Sequence, residues 1–214
     1  MDNPAPRSFR TLLWSLALFG LVVDQASKYV IFAALYHDGA GGKVALIPGA
    51  FDLLTQFTGQ REAGAGLAAR LRTVGGDIQP RVNQGALFGM FQNNGDLANG
   101  LFAVVSLLAA AAIVYWSSRR SLAKDRWLCA ALGLILAGTL GNLYDRLVFS
   151  GVRDFLHWHY VVDWPVFNLA DCCLVSGAGL LLLQALATRP ALAPVPEPAV
   201  PAEAPDQGQV AQVN

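Results

Sequence analysis

The chain has 214 residues, of which 54% are hydrophobic and 14% charged, with a mean hydropathy of +0.42. That balance excludes a solvated domain around one core and argues for an integral membrane protein. The zero net charge and the lack of a long basic stripe offer nucleic acid no general attraction, so no nucleic-acid partner is expected.

Residues 11–35 form the first apolar segment, long enough to span a bilayer core, which takes about 20 helical residues. No small-residue cleavage site follows it, so a retained helix is expected. Within it Asp24 and Lys28 stand four apart on one helix face, as a structural ion pair or as a contact to substrate. From Tyr36 to Asn99 the chain is mixed and extramembrane, with a β-like run at Lys43–Ile47 before Pro48-Gly49. Residues 61–76 could lie on the interface as a short amphipathic helix. The run N-Q-G-A-L-F-G at 83–89 reads by itself as a turn.

Further spans are expected at about 97–117, 127–144 and 166–187. Four spans place both termini on one side, together with Arg7, Arg10, Arg189 and the short basic loop containing Arg119, Arg120, Lys124 and Arg126. The positive-inside rule makes that side cytoplasmic. The membrane-embedded unit covers 1–188, and the Pro/Ala-rich remainder, 189–214, reads as a disordered cytoplasmic tail. Cys129, Cys172 and Cys173 all fall in apolar runs without zinc or disulfide spacing and read as buried thiols.

Carboxylates recur at Asp145, Asp154, Asp163 and Asp171 between the last two spans, where an ionisable group needs a polar cavity or a partner. The stretch opens with G-T-L-G-N-L-Y-D-R, from Gly138 to Arg146, and closes with F-N-L-A-D, from Phe167 to Asp171. Two carboxylates brought together could share a proton and activate water. No Ser/Lys or Ser/His pair stands at matching depth, and His157 and His159 lack a second ligand cluster. A carboxylate dyad is therefore the economical hydrolytic arrangement, with no metal and no cofactor expected. A proton-linked transporter is the rival reading, since intramembrane acids also make ion relays; here they gather at one surface rather than tracking across the bilayer. A purely structural four-helix scaffold would leave the amide and carboxylate motifs unexplained.

Four motifs in order resemble the bacterial lipoprotein signal peptidases (signal peptidase II): D-Q-A-S-K at 24–28, N-Q-G-A-L-F at 83–88, G-N-L-Y-D-R with V-R-D-F at 152–155, and F-N-L-A-D at 167–171. The resemblance covers about 16–184 and skips an apparent insertion at about 59–80. It implies a mainly α, polytopic fold of four transmembrane helices with a small extracytoplasmic β-containing platform. It implies an aspartic endopeptidase of the bacterial inner membrane that removes signal peptides from diacylglyceryl-modified prolipoproteins just before the lipidated cysteine. Membrane lipid is the other partner, and a monomer is expected.

Carried over position by position, Asp154 and Asp171 would be the catalytic pair near the extracytoplasmic face. Asn142, Arg146 and Asn168 would line the site. Asp24, Lys28, Asn83, Gly138 and Asp145 would support the site or the substrate, Asp145 as a structural group. Two departures stand out: Arg153 occupies a usually aliphatic place, and Cys172 one where a small hydroxyl residue is frequent. Asp163, in V-V-D-W, looks more like the family signature than Asp154 does. Spacing favours Asp154, which stands 8 residues after Arg146 and 17 before Asp171. Asp163 is then expected in a solvated or capping role ahead of a helix that starts near Trp164-Pro165.

Overall fold

The computed structural model describes residues 8–37, 40–58, 78–85, 95–119 and 121–187. The expected interfacial helix at 61–76, nearly all of the insertion, the 86–89 part of the second motif, Arg7, Arg120, Arg189 and the 189–214 tail lie outside the described residues.

Four helices are long and apolar enough to cross a membrane: α1 (Arg10–Ala34), α2 (Gly95–Ser117), α3 (Arg126–Phe149) and α4 (Leu169–Ala187). Helix α3 is the hub, packed against the other three. Of its most apolar stretch 61% is buried, against 11–22% in the others, so α1, α2 and α4 turn most of their side chains outward. Leu18, Phe19, Leu107, Leu108, Val175 and Leu183 are among the exposed groups, an apolar exterior suited to lipid tails. Inside, Leu13, Ala17, Ala110, Ile113, Cys129, Leu132 and Leu136 form the bundle core. Glycines bring α3 and α4 together. A Cβ on Gly138 would lie 2.3 Å from the Ala170 carbonyl oxygen, and one on Gly177 would lie 2.7 Å from that of Ala131. Association in lipid, where apolar burial gives no net drive, depends on such close backbone approach.

Two helix boundaries differ from the sequence expectation. Helix α3 continues past residue 144 through Leu147, Val148 and Phe149 and stops at Ser150, whose φ of 59° is left-handed. Helix α4 begins at Leu169 rather than near 166, because Phe167 is still paired with Leu156 and Asn168 supplies the cap. Pro165 therefore lies before the helix instead of in its first turn.

At one end of the bundle sits a three-stranded antiparallel sheet in the order β1 (Lys43–Ile47), β2 (Phe51–Leu54), β5 (Leu156–Trp158). A two-stranded ribbon, β3 (Phe57–Thr58) with β4 (Gln79–Pro80), lies beside it. Pro48 and Gly49 turn β1 into β2, with Gly49 at φ +77° and the Ala50 N–H donating to the Ile47 carbonyl at 3.0 Å. Phe51, Leu53 and Leu156 turn one sheet face onto Phe32, Phe155 and Phe167, which docks the sheet on the end of α1. The opposite end of the bundle carries Arg10, Arg119, Lys124 and Arg126. There the Phe9 N–H donates to the Ala123 carbonyl, Arg10 reaches the Ser117 carbonyl at 2.9 Å, and Asp125 caps α3 through Trp127 and Leu128.

Candidate active site

The site lies where the sheet meets the bundle, and its floor is a buried charge network. Asp24, Lys28, Asp145 and Arg153 are each at most 1% exposed. The Lys28 ammonium lies 2.8 Å from Asp24 Oδ2 and 3.4 Å from Asp145 Oδ2, and donates to Asn142 Oδ1 at 3.3 Å. Arg153 closes the other side: its Nη2 is 2.9 Å from Asp145 Oδ1, its Nε 3.2 Å from Oδ2, and its backbone N–H 2.9 Å from the same oxygen. Two acids and two bases cancel. Buried charge is tolerated only when paired and hydrogen-bonded in this way. The four-residue spacing of Asp24 and Lys28 thus makes a buried ion pair.

Gln25 and Gly141 complete the floor. The Gln25 amide donates toward Asp24, the Gly141 carbonyl and Asp145, while its oxygen accepts from Arg153 at 2.9 Å. A Cβ on Gly141 would meet Asp24 Oδ2 at 2.5 Å, so only glycine admits that carboxylate against α3.

Above this floor Asp154 and Asp171 are joined through one residue, Asn168. Asn168 Nδ2 donates to Asp154 Oδ1 at 2.6 Å, and the Asn168 backbone N–H donates to Asp171 Oδ2 at 3.1 Å. The Asp171 N–H returns a bond to Asn168 Oδ1 at 3.1 Å, so the pair is also the reciprocal cap of α4. The next donor of that helix end, the Ala170 N–H, is taken by Asp24 Oδ1 at 2.9 Å. Asn142 links floor to dyad, accepting from Lys28 and donating to Asp171 Oδ1 at 2.8 Å.

Asn83 holds the second oxygen of Asp154, donating from Nδ2 at 3.0 Å. Its backbone is fixed by a two-way bridge to Val152, both bonds 2.8 Å, and its Oδ1 accepts from the Gly85 N–H. Burial pushes the Asp154 carboxyl up to about 6, with the Asp171 charge adding to the rise and the two asparagine amides opposing it.

A cavity of about 270 Å³ opens from Asp154, lined by Leu54, Gln56, Arg81, Val82, Asn83, Pro165 and Val166. Arg146, half-buried, stacks its guanidinium 5.2 Å from the Phe102 ring centre, and its charge acts on Asp154, Asp171 and Asp145. Its Nε and Nη1 have no hydrogen-bond partner among the described residues. Buried guanidinium N–H groups are costly to leave unpaired, which fits donors reserved for an incoming acceptor.

Every nominated residue except Gly138 and Arg146 belongs to one hydrogen-bonded network: Asp24, Lys28, Asn83, Asn142, Asp145, Asp154, Asn168 and Asp171. Gly138 contributes the close α3–α4 contact instead. Asp163 is not part of it, being 82% exposed on its side chain and bonded to His157 Nε2 at 2.8 Å, while Asn168 does the capping. Sequence reasoning missed Gln25 and Asn99, whose Nδ2 donates to the Arg146 carbonyl at 3.3 Å. It named Arg153 as a departure from the family pattern but did not give it a partner. The two side chains alternate along an extended segment, Asp154 to the cavity and Arg153 into the floor, between the rings of Tyr29 at 4.3 Å and Phe149 at 4.0 Å.

Residues 16–187 match the family model described as signal peptidase (SPase) II. A lipoprotein signal peptidase of Pseudomonas putida is 31% identical over 200 residues, covering 91% of this chain and 99% of its own length. One from Pseudoalteromonas translucida is 38% identical over 186 residues, covering 86% and 93%. A bacterial membrane enzyme solved by the in meso method at 2.3 Å superposes with a TM-score of 0.65 at 21% identity, covering 90% of this chain and 99% of the other, so the fold is shared. With four apolar helices carrying a small sheet, and with these matches along almost their whole length, the chain is a multi-pass membrane protease belonging to the signal peptidase II family.

Proposed function

We propose that this protein is an aspartic endopeptidase that removes the signal peptide from diacylglyceryl-modified prolipoproteins, cutting just before the lipidated cysteine. The observation that carries the reading is the Asn168 bridge, which hydrogen-bonds Asp154 and Asp171 from a single residue at the mouth of a cavity. Asp154, its carboxyl raised to about 6, holds the proton and gives it to the scissile carbonyl oxygen. Ionised Asp171 takes a proton from water as the water oxygen attacks the carbonyl carbon. As the resulting diol collapses, one of its hydroxyls returns a proton to Asp154, the C–N bond breaks, and the proton held on Asp171 passes to the leaving amine. The free N–H groups of Arg146 receive peptide carbonyls of the substrate.

The acids gather at the sheet end of the bundle, which supports hydrolysis at one surface over a relay crossing the membrane. The basic residues at the other end, Arg10, Arg119, Lys124 and Arg126, favour placing that end and both termini in the cytoplasm. The site then opens on the extracytoplasmic side of the bacterial inner membrane. The outward apolar faces of the helices hold the enzyme, as a monomer, in contact with lipid and with the substrate's acyl chains.

The test is purified enzyme with a diacylglyceryl-modified prolipoprotein and with its unmodified precursor, followed by gel mobility. Cleavage of the lipidated form alone is expected, and equal cleavage of both, or of neither, would overturn the substrate assignment.

A further inference from the structure

The face of the sheet turned away from the helices carries a second group of polar side chains, separate from the carboxylate pair. Asp52 on β2 stands directly opposite His157 on β5, and His159 follows two residues later on the same face. The alternate residues Phe51, Leu53 and Leu156 point to the core, so the sheet pleat itself gathers the three polar groups. Their ligand atoms all lie within 4.8 Å of one another. His159 Nε2 lies 2.5 Å from Asp52 Oδ2, and His157 Nε2 lies 2.8 Å from Oδ1 of Asp163. The two imidazole rings are 5.1 Å apart. Asp52 is 1% exposed, and its remaining contact is the ammonium of Lys43 at 2.7 Å, on a side chain 57% exposed.

We propose that Asp52, His157 and His159 form a binding site for a divalent transition-metal ion of the zinc class on the extramembrane sheet, with Asp163 as its fourth ligand. Two imidazoles and a carboxylate suit borderline ions such as Zn²⁺ or Co²⁺, whereas Mg²⁺ and Ca²⁺ prefer oxygen alone. Tetrahedral coordination at about 2.0–2.2 Å needs ligand atoms roughly 3.3 Å apart; His159 Nε2 and Asp52 Oδ2 stand 2.5 Å apart, and all three ligand atoms lie within 4.8 Å of one another, so small side-chain rotations reach that spacing. The ion would take the place between His159 and Asp52 now spanned by their hydrogen bond and displace the Lys43 ammonium, whose exposed stem is free to swing away. Two carboxylates then balance the two charges of the ion. In sequence the histidines seemed to lack a companion because Asp52 comes from a strand more than a hundred residues earlier. The site is distinct from the proposed hydrolytic centre, and its ion takes no part in that chemistry.

Tag-free protein in detergent tests this, with Zn²⁺ titrated calorimetrically and Co²⁺ followed by its visible absorption. One equivalent should bind with micromolar affinity, give the intense bands of a tetrahedral centre and raise the unfolding temperature. His157→Ala and His159→Ala should each weaken binding by at least about tenfold, the loss expected even from groups that merely orient a ligand. In chelator both should still unfold in one cooperative transition, His157→Ala near the wild-type temperature and His159→Ala somewhat below it because Asp52 loses a partner, so that lost binding is not lost folding. Lys43→Ala should bind at least as tightly as wild type, and Cys129→Ser/Cys172→Ser/Cys173→Ser should bind equally. No stoichiometric binding in the micromolar range would overturn the proposal. So would binding that survives both histidine substitutions or that is lost in Asp154→Asn.

Discussion

Arg153→Met probes the buried charge network at its least expected member. Methionine keeps a comparable stem between the Tyr29 and Phe149 rings but removes the guanidinium, and with it two bonds to Asp145 and one to Gln25. Asp145 keeps only the more distant Lys28 ammonium at 3.4 Å as a cation, and a neutral group of four becomes a buried excess of one negative charge. Breaking a buried pair from one side costs about 3–5 kcal/mol, against about 0–1 kcal/mol for a solvated one. At about 2–4 °C per kcal/mol for a chain of this size, the unfolding temperature should drop by roughly 6–20 °C. Thermal unfolding in detergent measures it, read in a Cys172→Ser/Cys173→Ser background by a thiol-reactive dye that reaches the fully buried Cys129 only on unfolding. The double variant Arg153→Met/Asp145→Asn restores neutrality and should be more stable than Arg153→Met alone, although it has lost one native group more. A cost below about 1 kcal/mol for Arg153→Met, or simple additivity in the double variant, would refute the reasoning.

Three further outcomes are expected. Because burial raises Asp154 to about 6 from an ordinary 3.8, the folded state holds that proton more tightly than the unfolded chain does. Its contribution to stability is full below the ordinary value and is lost as pH rises through about 6, and Asp154→Asn should remove that slope. The proposed mechanism uses the same proton, so kcat/KM should fall on the alkaline side of that value; a flat profile from acid to alkaline pH would contradict that role. In a background lacking the native cysteines, an impermeant thiol reagent should label a cysteine at Val161 and miss one at Ser118, and the reverse pattern would invert the orientation. Gly138→Val should lower both the unfolding temperature and turnover by forcing α3 from α4 at Ala170, one residue from Asp171. Wild-type behaviour would argue against so close a helix contact.

What was legible in the sequence was the part governed by local pattern. Apolar length gave four membrane helices, Pro48-Gly49 ended β1, and i, i+4 spacing paired Asp24 with Lys28. The end of α3 and the start of α4 were less legible, because each is set by contacts made after the chain has turned. A left-handed Ser150 stops one, and the bridge of Phe167 to Leu156 delays the other. Arg153 was the harder case. Alternation along an extended segment turns its side chain away from Asp154 already in the sequence, but its partner Asp145, on the far side from the Asp154 cavity, shows only once the segment has folded back on α3. Gln25 was hidden for a similar reason. Within D-Q-A-S-K it stands beside the ion pair with no role of its own until Asp145, Arg153 and Gly141 from other segments converge on it.

The central claim is that Asp154 and Asp171, and not Asp163, form the proton-transferring pair. Initial cleavage rates of a lipidated precursor by wild type, Asp154→Asn, Asp171→Asn and Asp163→Asn, at equal amounts of folded, membrane-extracted protein, test it most directly. Asp154→Asn and Asp171→Asn each keep an oxygen acceptor for Asn168 while removing an ionisable group, and turnover should fall by at least about 10²-fold in both. Asp163→Asn, on an exposed side chain bonded among the described residues to His157, should cleave at close to the wild-type rate. An inactive Asp163→Asn beside an active Asp154→Asn or Asp171→Asn would contradict the account.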